Sequence, residues 1–133
     1  MSFKSFHVYL YGMEDLQALF IILFTSGAVI LLAGIVLLIF PPKKMNHIYG
    51  YRTKKSMHSE ENWEFAQTYS AKLMIGLGAA FVLLSFASIW FHLSDTFSAI
   101  LALLIVIGGT ILMFVKTERE LSKKMRKKND EVN

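Results

Sequence analysis

Apolar residues in this chain are gathered into three long blocks, with charged residues confined to the segments before, between and after them. The blocks run from Leu16 to Phe40, from Leu73 to Phe91 and from Phe97 to Val115, and none of them contains a charge. About 20 apolar residues in a helix cross the hydrocarbon core of a bilayer, and each block has the length of such a span. The first is the longest and accommodates some tilt. The segment ahead of it, FHVYLYGMED, is aromatic and acidic. A cleaved signal peptide has instead a basic start and an apolar core of roughly 7 to 15 residues, so this block reads as a retained helix. The pattern predicts an all-α membrane protein, one domain over residues 1–133, with three transmembrane helices.

Local signals set the ends of these elements. Glu14 and Asp15 stand at the start of the first helix, where negative charge suits the helix dipole. Phe3, Phe6, Tyr9 and Tyr11 give the preceding segment the character of a headgroup-level anchor. Pro41 and Pro42 end the first helix, since proline lacks an amide proton and biases its predecessor away from helix. Ser59 is a good N-cap, with Glu60 and Glu61 in the turn that follows. Phe65, Tyr69 and Leu73 then repeat at four-residue spacing beside a stripe of Trp63, Ala66 and Ser70. This predicts an interfacial amphipathic helix leading into the second span. The turn His92 to Thr96 makes spans two and three an antiparallel hairpin, with Ser94 or Asp95 as cap. Residues 116–133 extend the third span as a helix.

Charge adds orientation. The chain has 14 lysines and arginines and no cysteine. The loop 41–62 carries Lys43, Lys44, Arg52, Lys54 and Lys55, with Lys72 just beyond, and the tail carries seven more from Lys116 to Lys128. Only Lys4 lies on the other side. Cytoplasmic flanks collect such residues, so the expected topology is N-terminus outside, loop and tail on the cytoplasmic side. The basic tail is expected to attract anionic headgroups at roughly 1 kcal/mol per well-placed Lys or Arg. No nucleic-acid reading motif accompanies the charge, so no nucleic-acid partner is expected.

Within the blocks the notable residues are small: Ser26, Gly27, Ala33 and Gly34, then Gly76, Gly78, Ala79 and Ala80, then Gly108 and Gly109. They predict close helix packing, within one chain or across a homodimer. No ionisable group interrupts any block, which disfavours a proton-coupled transporter.

The chemistry is concentrated in the loop from Asn46 to Trp63. Gly50 between two tyrosines marks a turn or a close backbone approach. Arg52 offers a planar fork for carboxylate or phosphate, with Asn46, Thr53 and Ser56 as neutral partners. Trp63 brings an apolar face and one indole donor. His47 and His58 are eleven positions apart and match no metal-ligand spacing, so no metal or other cofactor is expected. Ser56 and Ser59 sit in no nucleophile elbow, and no catalytic residue is assigned.

The order Asn46, Gly50, Arg52, Thr53, Ser56, Trp63, after Pro41 and Pro42 and before two further spans, resembles the SdpI family of bacterial membrane proteins in its short three-span form. The resemblance implies a non-enzymatic membrane protein. Its expected role is immunity or resistance to a membrane-active peptide toxin, or signalling of the toxin's presence, with these six residues as a binding or structural motif. Lys54 stands where many members have proline. The stretch Gln67 to Lys72 lacks the histidine, arginine and glycine that often follow the tryptophan. The residues also admit an anionic-lipid-binding protein, or a small lipid-modifying enzyme with Arg52 on phosphate and His47 or His58 exchanging protons. An accessory subunit docking through its small-residue faces is a further alternative.

Overall fold

A computed structural model describes residues 17–91 and 93–132. The aromatic N-terminal segment and the Glu14 and Asp15 pair lie outside the described residues. Three helices carry the fold: α1 (Ala18–Ile39), α2 (Glu60–Ser88) and α3 (Asp95–Val132), with a short 3-10 turn at Ser56–His58 ahead of α2. There is no strand among the described residues. All three helices are long and apolar enough to cross a membrane.

The helix ends follow local chemistry. The Phe40 amide donates to Val36 O at 2.8 Å, and the two prolines then carry the chain out of α1. At the start of α2 the Ser59 hydroxyl accepts from the Asn62 amide at 3.2 Å, the capping bond its sequence position predicts. α2 then continues for 29 residues without a break. The amphipathic stretch and the second span are thus one helix, and the intervening loop closes at Ser59. α3 runs 38 residues. At 1.5 Å per residue it is about 57 Å long, nearly twice the roughly 30 Å hydrocarbon core, so its basic half leaves the lipid still helical.

Small residues decide how closely the helices meet. A Cβ added at Gly78 would lie 2.5 Å from Leu31 N and 2.7 Å from Gly27 O, and one at Gly34 would lie 2.9 Å from Ile75 N. The backbones of α1 and α2 therefore touch along a line through Gly27, Gly34 and Gly78. Lipid tails are as apolar as the side chains, so this close dispersion contact holds the pair. α3 meets α2 through Gly109, whose added Cβ would lie 2.7 Å from Phe81 Cζ. Gly76 and Gly108 face open space. At the end away from the loop, Leu19, Leu23 and Ala102 are buried together. The Gln17 side-chain amide there donates to Phe91 O, joining the start of α1 to the α2–α3 turn.

Four hydroxyls in the apolar segments bond to their own helices. Thr25 donates to Ile21 O, Ser85 to Val82 O, Ser88 to Ser85 O and Thr110 to Val106 O. Such back-bonding satisfies a polar group without a partner helix. Val29, Leu32, Leu83 and Leu104 project outward and are more than half exposed, as a lipid-facing surface requires.

Overpacking a closed contact costs about 1–3 kcal/mol, so Gly78→Ala is expected to lower thermal stability in detergent by that amount. Gly108→Ala, with room for its methyl group, should leave stability unchanged or raise it by up to about 1 kcal/mol through helix propensity. Equal effects of the two substitutions would contradict the packing described.

Candidate functional site

The polar segment between α1 and α2 is a sequence of local turns, each closed by one residue of the motif. The Asn46 side-chain oxygen accepts from the amides of Ile48 at 3.0 Å and Tyr49 at 2.8 Å, while its nitrogen donates to Lys44 O at 3.1 Å. This is the side-chain mimicry of a backbone turn to which asparagine is suited. Further on, Thr53 and Ser56 cap one another. The Thr53 amide donates to Ser56 Oγ at 2.8 Å, and the Ser56 amide donates to Thr53 Oγ1 at 3.2 Å. The Ser56 hydroxyl in turn lies 3.1 Å from Tyr51 O and from Thr53 O, and its residue is wholly buried.

The loop is fastened to α2 at three points, the first at Asn62, whose side-chain nitrogen donates to Lys55 O at 3.3 Å. The Trp63 indole donates to the carbonyl of Pro42, just past the end of α1, at 2.9 Å, and Trp63 is 2% exposed. One helical turn later, the Gln67 side chain meets both backbone groups of Tyr51. Its oxygen accepts from the Tyr51 amide at 2.6 Å and its nitrogen donates to Tyr51 O at 2.9 Å. The amide acts as a one-residue strand partner, and Gln67 is 1% exposed. Gly50 makes that approach possible. Its φ is +106°, a region L side chains avoid, and a Cβ there would lie 2.4 Å from Gln67 Oε1.

α3 completes the enclosure. The Tyr51 hydroxyl donates to Glu118 Oε1 at 3.1 Å, and its ring centroid lies 5.6 Å from that of Phe114. Burial, and then the Glu118 charge, push the Tyr51 hydroxyl well above the usual phenol range, so it remains a donor at any physiological pH. Lys55 donates to Ser122 Oγ at 2.8 Å and lies 3.4 Å from Glu118 Oε2. Lys55 thus binds α3, through the carboxylate of Glu118 and the hydroxyl of Ser122. Higher on the same helix pair, Glu61 contacts Lys128 at 2.6 Å and Lys124 at 3.1 Å. Hydrogen bonds from Lys128 and Lys124 hold its carboxyl below the usual range. Lys124 also sits 4.9 Å above the Phe65 ring.

Arg52 stands apart from this polar cluster. It is exposed, and its guanidinium donates to the carbonyl of His47. The sequence pattern groups Arg52 with Asn46, Thr53 and Ser56; in the structure Gln67 and Tyr51 occupy the centre of the polar cluster. His47 and His58 are both exposed or nearly so, and among the described residues no three His, Cys, Asp or Glu side chains converge on one point.

The sequence profile of the SdpI/YfhL protein family matches residues 43–116, more than half of the chain and all six motif positions. This chain belongs to the SdpI/YfhL family. It is 39% identical over 98 residues to YfhL of Bacillus subtilis (strain 168), a protein named as uncharacterized, covering 72% of this chain and 82% of that one. No solved structure matches it. The family match begins in the loop and ends at Lys116, so it takes in Gln67 as well as the motif and stops short of Glu118.

Removing Gln67 leaves the Tyr51 amide without a partner, at a cost of about 1–3 kcal/mol, and takes from the Tyr51 carbonyl one of its two donors. Gln67→Leu should therefore loosen the loop and raise trypsin cleavage at Arg52 and Lys54 at least tenfold, with α2 still helical by circular dichroism. Gly50→Ala should do the same. Cleavage as slow as in the parent protein would show that the amide does not hold the loop.

Proposed function

We propose that this chain is a non-enzymatic protein of the immunity type, which protects its membrane against a membrane-active peptide or relays the peptide's presence. Membership of the SdpI/YfhL family supports this reading through the immunity role that the motif resemblance implies. The observation that carries it is the use of the signature residues. Asn46, Gly50, Thr53, Ser56 and Trp63 are spent on building the loop and fastening it to α2, which is architecture and not a reactive centre. Arg52 is the signature side chain left facing outward, with guanidinium donors to offer a partner.

In this mechanism the peptide is engaged within the membrane and the docked loop holds the helices in the receptive arrangement. At the end of the bundle away from the loop there is an entirely apolar cavity of about 340 Å³, bordered by Leu19, Leu23, Leu84, Phe91, Leu101 and Ile105. An apolar peptide segment suits such a lining. The distribution of basic residues supports an orientation with loop and tail in the cytoplasm and the cavity toward the outer leaflet.

Survival of a sensitive bacterium under challenge by membrane-active peptides tests the proposal. Expression of the chain should raise survival, Arg52→Ala should return it to the vector level at unchanged protein abundance, and Leu101→Trp should weaken protection by filling the cavity. In the same cells, a cysteine replacing the exposed Lys54 should react with an impermeant reagent only after permeabilisation. Equal survival with and without the protein would refute the immunity role, and labelling of intact cells would refute the orientation.

A further inference from the structure

Two lysines at the inner ends of the apolar blocks take no part in any contact described so far. Five lysines of the loop and tail are engaged in ion pairs, namely Lys55, Lys123, Lys124, Lys127 and Lys128. Lys72 on α2 and Lys116 on α3 form no ion pair or side-chain hydrogen bond among the described residues. Both stand where an uncharged block meets the polar segments: Lys72 immediately precedes Leu73, and Lys116 immediately follows Val115. Because α2 and α3 are antiparallel, this brings the two ammonium groups to the same end of the bundle.

They flank a groove of about 310 Å³ formed by α2 and α3 alone. Below the lysines its lining is apolar, with Leu73 and Leu77 on one wall and Leu112 on the other. Gly76 leaves it open, since a Cβ there would meet no atom within 4 Å. Gly109 lies behind, where the Phe81 ring and Leu77 press against its backbone. Among the described residues no acidic side chain borders the groove. From Lys116 to Gly109 the helix descends about 10 Å, so the groove enters the apolar zone and does not lie flat at its surface.

We infer that this groove is a binding site for an anionic glycerophospholipid, with the phosphate between Lys72 and Lys116 and one acyl chain along the α2–α3 cleft past Gly76. Charge complementarity selects the occupant. Paired unneutralised lysines at headgroup level above an apolar slot match a molecule that joins an anion to a hydrocarbon chain. A second copy of this chain would bring the same two positive charges to its own contact face, and a soluble phosphate compound would leave the slot unfilled. The site is independent of the immunity reading, because it uses neither the loop signature nor the apolar cavity at the opposite end.

Native mass spectrometry of the full chain in neutral detergent tests this, with phosphatidylglycerol or phosphatidylcholine added at equal concentration. The expected result is one retained phosphatidylglycerol per chain and loss of phosphatidylcholine. Lys72→Gln and Lys116→Gln should each weaken retention about fivefold, and Lys44→Gln should not change it. Gly76→Leu places a side chain in open space, so the fold is kept while the slot is filled, and lipid retention should be lost. Excess glycerol 3-phosphate should not compete. Equal retention of the two lipids, retention unaffected by Gly76→Leu, or competition by glycerol 3-phosphate would each overturn the inference. So would a lipid-free dimer that Gly76→Leu dissociates.

Discussion

The loop end of this protein depends on a single side-chain amide. Gln67 presents its oxygen and nitrogen to the two backbone groups of Tyr51 and is itself buried, so an irregular segment with many polar groups is fixed to a helix by two bonds out of water. Buried polar groups are costly unless paired, which makes this contact an all-or-nothing feature. Several other residues exist in their observed form because of it. Gly50 yields the space that the amide occupies. Ser56 reaches the same carbonyl of Tyr51 from the loop side, and the Tyr51 ring, held in place, lays its hydroxyl against Glu118 on α3. One amide thereby links the loop to α2 and, through Tyr51, to α3.

The membrane architecture is legible in the sequence because lipid leaves so few alternatives. A backbone crossing hydrocarbon must satisfy its own hydrogen bonds, so long uncharged blocks such as Leu16 to Phe40 become helices. The ends of those helices lie beyond the apolar blocks and are marked by other signals: the Ser59 cap sets the start of α2 at Glu60, and the charged tail continues α3 to Val132. Helical spacing puts Trp63, Ala66 and Ser70 on one face, and all three are buried. Gln67 lies on that same face, one turn after Trp63. A polar residue within a stripe of apolar and small ones is the signal for it, and charge-based reading, which singles out Arg52, passes it by. Glu118 gives no comparable signal, since its partners Tyr51 and Lys55 lie in the loop, far from it along the chain.

The candidate site divides in a similar manner. Motif resemblance locates the segment and the structure supplies the reason for most of its residues: a turn mimic at Asn46, a close approach at Gly50, reciprocal caps at Thr53 and Ser56, and a carbonyl captured by Trp63. Arg52 differs in kind, being exposed beside a scaffold that holds its backbone still. The packing of α1 on α2 serves the same end, because Gly27, Gly34 and Gly78 bring the helices close enough to fix the ends between which the loop is strung.

Amide hydrogen exchange across the loop tests the central claim, that its polar groups are consumed by its own architecture. The amides of Ile48, Tyr49, Tyr51, Thr53 and Ser56 each donate to a side-chain oxygen. With the full chain in detergent, these five should exchange much more slowly than unbonded loop amides, and Tyr51 should be protected to a degree approaching the buried amides of α2. Exchange of Tyr51 and Ser56 at the rate of an unstructured peptide would contradict the account.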